Sequence, residues 1–472
     1  MSVSEAKKEY TSNHETWSMI RDCIIGDKAI KKATTEYLPF PNGAENKKTD
    51  DPFYQRYLNL AMFYNVVGRT HDALLGLAFR DKPHIKLAKE IEYLLEDATS
   101  TGETLQQFAK QCTSENLAYA RCGILVDYPN IEESPTIKQK EENYIRATLQ
   151  YYSTFNIINW RETKIGAKSM LSMVVLRECV EKEVAGDEFK VEYEDQYRVL
   201  RIDRDNGNYI QEVYNKDEVL IDIFEPRNAK NQPFKYIPFI LVGADCNNSL
   251  IDQSPMYDLA VLNIKHYQLY ADNAIKMHFQ ALPSLFIEGV DREDREDIDQ
   301  IKLGATSANC IPRDTRAYFL EVSSDSALSQ EIKNLEDKMI ASGARLLRDS
   351  VQETATTTRI KASTENATLA NVINNINEAV KMALDIALEF ESTNPKYNDN
   401  EFHISTNFSD EEFDAQKLQS LNASYSIGNT PQSAVIDYQK RTGIIGKDKK
   451  DEEIIAEIEL SNDRELMNQE DI

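Results

Sequence analysis

SPMYDLAVLNIKHYQLYADNAIKMHFQ, residues 254–280, is the stretch on which the fold turns. Ser254 offers an N-cap oxygen, and Pro255 suits the first helical position, where its missing N–H costs nothing. Leu282-Pro283 ends the run. About 26 residues at 1.5 Å rise make a rod of about 39 Å, longer than most globular domains need. Its faces are mixed: Leu259, Leu262, Tyr267, Leu269, Tyr270, Ala274 and Met277 interleave with Asp258, Asn263, Lys265, His266, Asp272 and Lys276.

Downstream, Ser284–Glu288 reads as a short strand, followed by the acidic run Asp291-Arg292-Glu293-Asp294-Arg295-Glu296-Asp297 and a second strand around Ala317–Val322. Leu328, Ile332, Leu335, Met339 and Leu346 mark a helix ending near Asp349. Glu353-Thr354-Ala355-Thr356-Thr357-Thr358-Arg359 has no apolar anchor and three adjacent β-branched polar residues, which predicts an exposed, mobile loop between helices. Ile373, Ile376, Val380, Ala383, Ala387 and Phe390 then recur at helical spacing, the cleanest such signal in the chain. The tail predicts helices at Glu411–Ser424 and Gln432–Thr442 around the turn-rich Ile427–Pro431, with fraying or disorder beyond Gly446, where charge is dense.

Upstream, Asp51 to about Asp127 reads as helical, with a break at Lys82-Pro83. Leu105, Phe108, Ala109, Cys112, Asn116 and Tyr119 form one stripe, ending at the buried strand Gly123–Asp127. Ile131–Asn143 is acidic, polar and proline-bearing, which predicts a surface loop. Between Tyr144 and Ala244 the period becomes two, with runs at Leu171–Cys179, Phe189–Glu194, Tyr197–Ile202, Tyr209–Tyr214, Val219–Phe224 and Phe239–Val242, and Asp205-Asn206-Gly207-Asn208 is a tight-turn signal. The fold class is therefore α+β.

The chain has 472 residues, with 54 Lys+Arg against 79 Asp+Glu and a net charge of −25. That length suggests about three domains, and that charge excludes a basic nucleic-acid-coating protein. No run approaches the ~20 apolar residues of a bilayer span, and the N-terminus lacks the apolar core of a signal peptide, so neither membrane insertion nor standard secretion is expected. Cys23, Cys112, Cys122, Cys179, Cys246 and Cys310 lack metal-ligand spacing and read as buried thiols in a reducing cytoplasm. There is no phosphate loop, since Gly443-Ile444-Ile445-Gly446-Lys447 has the wrong spacing and Asp448 where a hydroxyl belongs. GxSxG, HExxH and GxGxxG are also missing. No catalytic group, metal or cofactor is expected. The acidic run 291–299 is partly neutralised by Arg292 and Arg295 and reads as a solvated turn, and His266 beside Lys265 as an interface or surface residue. The 23 tyrosines suit half-buried contact surfaces.

Several short stretches, with the order of segments, carry a resemblance: Trp17, Asp22 and Gly26 leading to Tyr37-Leu38-Pro39; Arg69-Thr70 with Leu74-Leu75-Gly76; Arg121–Pro129; Asn159-Trp160-Arg161; Arg177-Glu178; Gln196–Leu200; and Asp258-Leu259-Ala260 with Asn263 and His266-Tyr267. Over roughly residues 14–390 the chain resembles the portal proteins of tailed bacteriophages, and is similar to a portal-like family long labelled only as a phage domain of unknown function.

The resemblance implies a wing over 1–250, helical to about 130 and antiparallel β over about 144–244, then a stem helix and short clip over 251–300. A wing strand, helix and tunnel loop would follow over 301–360, a long helix and α-helical crown over 361–446, and a charged tail over 447–472. Asp258, Asn263, Lys265, His266, Asp272 and Lys276 would belong to the stem, and Asp291, Arg292, Glu293 and Arg295 to the clip. Glu353, Thr354, Thr356, Thr357, Thr358 and Arg359 would belong to a DNA-facing tunnel loop. It further implies a homo-oligomeric ring, normally a dodecamer, at one capsid vertex of the virion, assembled in the host cytoplasm. Its partners would be the major capsid protein, terminase large subunit, tail adaptor, any scaffolding protein and the double-stranded DNA packaged and ejected through it.

Acidity suits a conduit, because a wall that gripped phosphates with many Lys and Arg would hold the duplex rather than pass it. Two other readings compete: another ring- or shell-forming virion protein such as an adaptor, although adaptors are usually shorter, and an enzyme with a carboxylate site, for which the Asp and Glu excess is the only encouragement.

Overall fold

The computed structural model describes residues 2–41, 48–130, 144–184, 187–281, 284–288, 316–320, 326–345, 355–406, 408, 415–445, 449, 451 and 453–457, with backbone alone at 165, 183–184, 187–188, 279, 281, 284–287, 317, 319–320, 344–345, 355–367 and 441. The chain is α+β and divides into two compact units, Met1–Thr406 and Asn407–Ile472. The contact boundary thus falls well after the long helix that the sequence grouped with the crown.

The first unit begins with α1 (Lys8–Ile25) and α2 (Asp27–Ala33). Gly26 between them has φ +97°, left-handed backbone that a glycine adopts without strain. Its N–H closes α1 on Asp22, whose carboxylate accepts from Tyr37 Oη at 2.9 Å. α3 (Pro52–Leu60) is capped by Asp51, and α4 (Val66–Ala78) by Asn65, whose Oδ1 accepts from Gly68 N–H at 2.7 Å. After β1 (His84–Lys86), Thr104 and Gln107 form a capping box for α5 (Leu105–Tyr119), which presents the stripe expected from its sequence.

β2 (Arg121–Asp127) is buried along its whole length, as its unbroken apolar run predicts. It lies between β3 (Thr148–Ser153) and the later β9 (Phe239–Gly243) in an antiparallel sheet of order β3-β2-β9. A Cβ at Gly123 would collide with the ring of Phe239, so only glycine fits there. Arg121 is buried against the Trp160 ring, 4.1 Å from guanidinium carbon to centroid, and donates to the carbonyls of Ser249 and Leu250. Burial lowers its pKa to about 10.

A second antiparallel sheet, of order β4-β5-β6-β7-β8, contains β4 (Ile157–Ile165), β5 (Lys168–Val184), β6 (Asp187–Ile202), β7 (Tyr209–Tyr214) and β8 (Leu220–Phe224). The Asp205–Asn208 turn joins β6 to β7 with Gly207 at φ +69°. The two sheets are tied by a polar network. Arg198 on β6 donates to Glu178 on β5 at 2.7 Å, to Asp127 at the end of β2 at 3.1 Å and to Gln211 on β7 at 3.1 Å. Gln211 and Gln150 also donate to Asp127, and Tyr152 to Glu178. Burial works against the Arg198 charge, but the surrounding Tyr152, Glu178 and Asp127 outweigh it and raise its pKa.

Then come α6 (Tyr257–Ala281), β10 (Ser284–Glu288), β11 (Arg316–Leu320), α7 (Ala327–Arg345) and α8 (Ala355–Glu391). From Leu369 onward α8 is the apolar centre of the unit, with Val372, Ile373, Ile376, Val380, Ala383, Leu384 and Ala387 buried. It is held by Asn375, which donates to the carbonyls of Gly243 and Ala244. Asn377 exchanges two hydrogen bonds with the Ile404 backbone, one residue past β12 (Glu401–His403), which pairs with β1. In the second unit, α9 (Ala415–Ser426) and α10 (Gln432–Arg441) are joined through Gly428 at φ +79°, with Val435, Ile436 and Tyr438 buried.

Cysteine burial departs from expectation. Cys23, Cys112 and Cys122 are buried, but Cys179 and Cys246 are exposed because each sits beyond the packed part of its segment, and Cys310 lies outside the described residues. Burial pushes the Cys23 thiol up to about 12, and Cys122 is raised by its contact with Cys112 and by burial. In the native protein at pH 8, a thiol-specific label should therefore modify Cys179 and Cys246, sparing Cys23, Cys112 and Cys122 until unfolding. Mass mapping of labelled peptides checks this. Arg198→Ala, which strands Glu178 and Asp127 among buried neighbours, should cost about 3 kcal/mol in urea unfolding, and an unchanged midpoint would contradict the network's structural role.

Candidate functional site

The helix predicted from residues 254–280 forms as α6, with Ser254 Oγ accepting from Met256 N–H at 3.0 Å and donating to Ala118 O. Met256, Leu259, Ala260, Asn263, Tyr267 and Ala271 form one buried stripe at three- and four-residue spacing. Asn263 is fully buried: its Oδ1 accepts from Val66 and Val67 N–H at 3.1 and 3.3 Å, and its Nδ2 donates to Tyr64 O at 2.9 Å. It thereby satisfies donors at the start of α4 that have no intrahelical partner. Gln268 donates to Tyr37 O, and Tyr57 Oη to Asp272 at 2.6 Å. Burial, and then Asp272, raise the Tyr57 pKa, and burial also raises that of Tyr267.

Beyond Ala271 the burial stops. None of the described side chains from Asp272 to Gln280 is buried, and Met277 is 58% exposed. The chain then enters an antiparallel ribbon, in which Ser284 pairs with Leu320 and Glu288 with Arg316. The strand expected at 317–322 forms as β11 and is the antiparallel partner of the strand after the rod. α7 returns to pack on α6, with Ile332, Leu335 and Met339 buried and His266 Nε2 3.3 Å from Glu336 Oε1. Gly343 of α7 abuts Thr70 of α4, where a Cβ would come within 2.7 Å of Oγ1.

Of the expected stem residues, Asp258 and Lys265 are exposed, Asp272 faces Tyr57, Lys276 is half-buried, and Asn263 and His266 are buried. His266 is no surface residue: it lies among Tyr64, Tyr270 and Glu336, because the returning helix covers it. Asp291, Arg292, Glu293 and Arg295 lie outside the described residues, as do Glu353 and Thr354. Thr356, Thr357, Thr358 and Arg359 are not in a loop but in the first turns of α8. Threonine costs at most about 0.7 kcal/mol in a helix, too little to outweigh continuity with the strongly helical Ile360–Glu391. Sequence reading missed the Asp127–Glu178–Arg198–Gln211 network, since its members are scattered along the chain; only their separate places in the quoted stretches hinted at them.

Among the described residues no cluster of His, Cys, Asp and Glu could hold a metal ion, and no helix is long and apolar enough to cross a membrane. The described residues form an out-and-back excursion of helix, ribbon and helix.

A family model described as "Domain of unknown function (DUF4055)" matches residues 255–391, from the start of this excursion to the last residue of α8. No curated protein matches the chain. Among solved structures, a chain from the neck of an empty gene transfer agent particle computed with C6 symmetry is 11% identical with a TM-score of 0.41, covering 84% of this chain and 96% of that one. A chain from the neck of the native particle computed with C12 symmetry is also 11% identical, with a TM-score of 0.38 over 78% and 88%. One from the virion of the native particle is 10% identical, with a TM-score of 0.37 over 84% and 94%. Likeness at this level carries no argument about function.

Asn263→Ala would leave the Val66 and Val67 N–H groups buried without a side-chain acceptor. Loss of about 1–3 kcal/mol in denaturant unfolding is expected, and a loss below a few tenths would contradict the anchoring.

Proposed function

We propose that the chain is the subunit of a phage portal: a closed ring at one capsid vertex through which terminase packages double-stranded DNA, through which the DNA later leaves, and to which the tail adaptor attaches. The observation that carries this reading is the excursion from α6 through the ribbon to α7. The body buries only its N-terminal part: beyond Ala271 the described side chains are half-buried or exposed, with α3 touching the helix through Tyr57–Asp272 and Arg56–His278, and in this reading the exposed face of these turns and the ribbon meet other chains. In this reading α6 and α7 are the stem pair and the ribbon belongs to the clip. Glu353 and Thr354, with Thr356–Arg359 at the start of α8, lie along the DNA path. The role needs no catalytic group.

The net charge of −25 supports a wall that confines a duplex without holding it. Purified protein should show no retention of a 50-base-pair duplex at micromolar protein and 150 mM salt. Tight binding with a steep salt dependence would contradict the conduit.

Electron microscopy of the purified full chain tests the reading itself. Axial views should show a closed ring around a hole wider than the roughly 20 Å duplex, since an isologous pair cannot enclose one. Solitary particles in every view would overturn it.

A further inference from the structure

The five-stranded sheet has two edges of opposite character. At one, β8 and the residue before it expose Val219, Leu220, Ile221 and Ile223 at 57, 44, 56 and 52%. Successive residues point to opposite faces, so both faces of the strand are open. Asp217 and Asp222 are exposed beside them and, among the described residues, in no ion pair. An exposed apolar edge strand is a ready template for pairing with another chain, and Val219–Phe224 contains no lysine or proline.

Toward the other edge lies a concavity of about 960 Å³ bounded by β4, the start of β5 and the β6–β7 turn. Arg161, Arg201, Arg204 and Lys235 line it together with Met170 and Met173. Arg201 is paired with Glu212 at 2.6 Å and Lys235 is held by Asn208, whereas Arg161 and Arg204 have no carboxylate partner among the described residues. A chain with a large acidic excess thus keeps a basic, partly apolar groove at one end of a sheet and an acidic, apolar strand at the other. Four strand spacings, about 19 Å, separate the two edges.

We propose that these two edges are the faces of a head-to-tail contact between copies: β8 of one copy seats in the groove beside β4 of the next. A two-fold contact would set acidic edge against acidic edge. The head-to-tail arrangement brings Asp217 and Asp222 to Arg161 and Arg204 and covers the exposed side chains of β8. Repeated, such a heterologous contact closes into a ring. The inference rests on the ring reading above and adds to it the surface that builds the ring.

Charge reversal with rescue, read by sedimentation velocity of the full chain, tests it. R161E/R204E and D217K/D222K should each reduce the ring fraction at least tenfold while keeping the wild-type circular dichroism spectrum, and an equimolar mixture of the two, in which each variant's edge meets the other's groove with opposite charge, should recover closed rings of alternating subunits. The quadruple variant, in which every contact is again complementary, should recover closed rings on its own. Hydrogen exchange on the wild type gives a readout independent of any variant: the amides of 219–224 should be protected in the ring and exchange at least tenfold faster in dissociated subunits. Wild-type rings unaffected by either reversal, or equal exchange in both states, overturn this surface and leave the ring reading standing. A wild type that stays monomeric at tens of micromolar overturns both.

Discussion

A helix of 25 residues is about 38 Å long, and its own body buries only its first part. That unequal burial is the constraint on which the rest of the structure depends. Asn263, Tyr267 and Ala271 fix the lower turns of α6 in the core, so the helix has a defined direction when it leaves. α7 returns along it, and the His266–Glu336 contact, with Gly343 close against Thr70, sets how the returning helix lies. A rod without this anchor would fray, since helices in proteins owe most of their stability to tertiary packing.

The residues that suggested a portal-like chain turn out to be scaffold. Asp22 and Gly26 end α1 and receive Tyr37; Gly123 admits the Phe239 ring; Arg121 and Trp160 stack on one another; Asp127, Glu178 and Arg198 join two sheets; Asn263 closes the start of α4. Each sits where packing or backbone needs that one residue type: a positive-φ or crowded glycine, a buried charge with its partners, or a ring against a guanidinium.

Periodicity made much of this readable. The apolar run at 123–127, the stripe of α5, the strand 284–288 and the core face of α8 could be drawn directly from spacing, because each buries one side. The helix α1 and the strands β3 and β4 were not drawn: their polar and aromatic mixtures, such as Lys8–Ile25, carry no single clean period. Polar residues misled most. Asn263 and His266 look like a wet face until α4 and α7 are seen to cover them, and Thr356–Arg359 look like a loop because local propensity carries no information about the long helix they begin. Charge network partners at 127, 178, 198 and 211 meet only through sheet register, which no local pattern encodes.

In the proposed ring, the exposed turns of α6 and the exposed edge of β8 would meet neighbouring copies, and the overall acidity would leave a passing duplex ungripped. The claim at the centre is that copies of this chain close around a hole. Mass photometry of the full chain, free of any partner, measures that most directly. A discrete species near twelve times the 54.0 kDa subunit, persisting on dilution, is the predicted result; a single population at the mass of one subunit at every concentration would contradict the account.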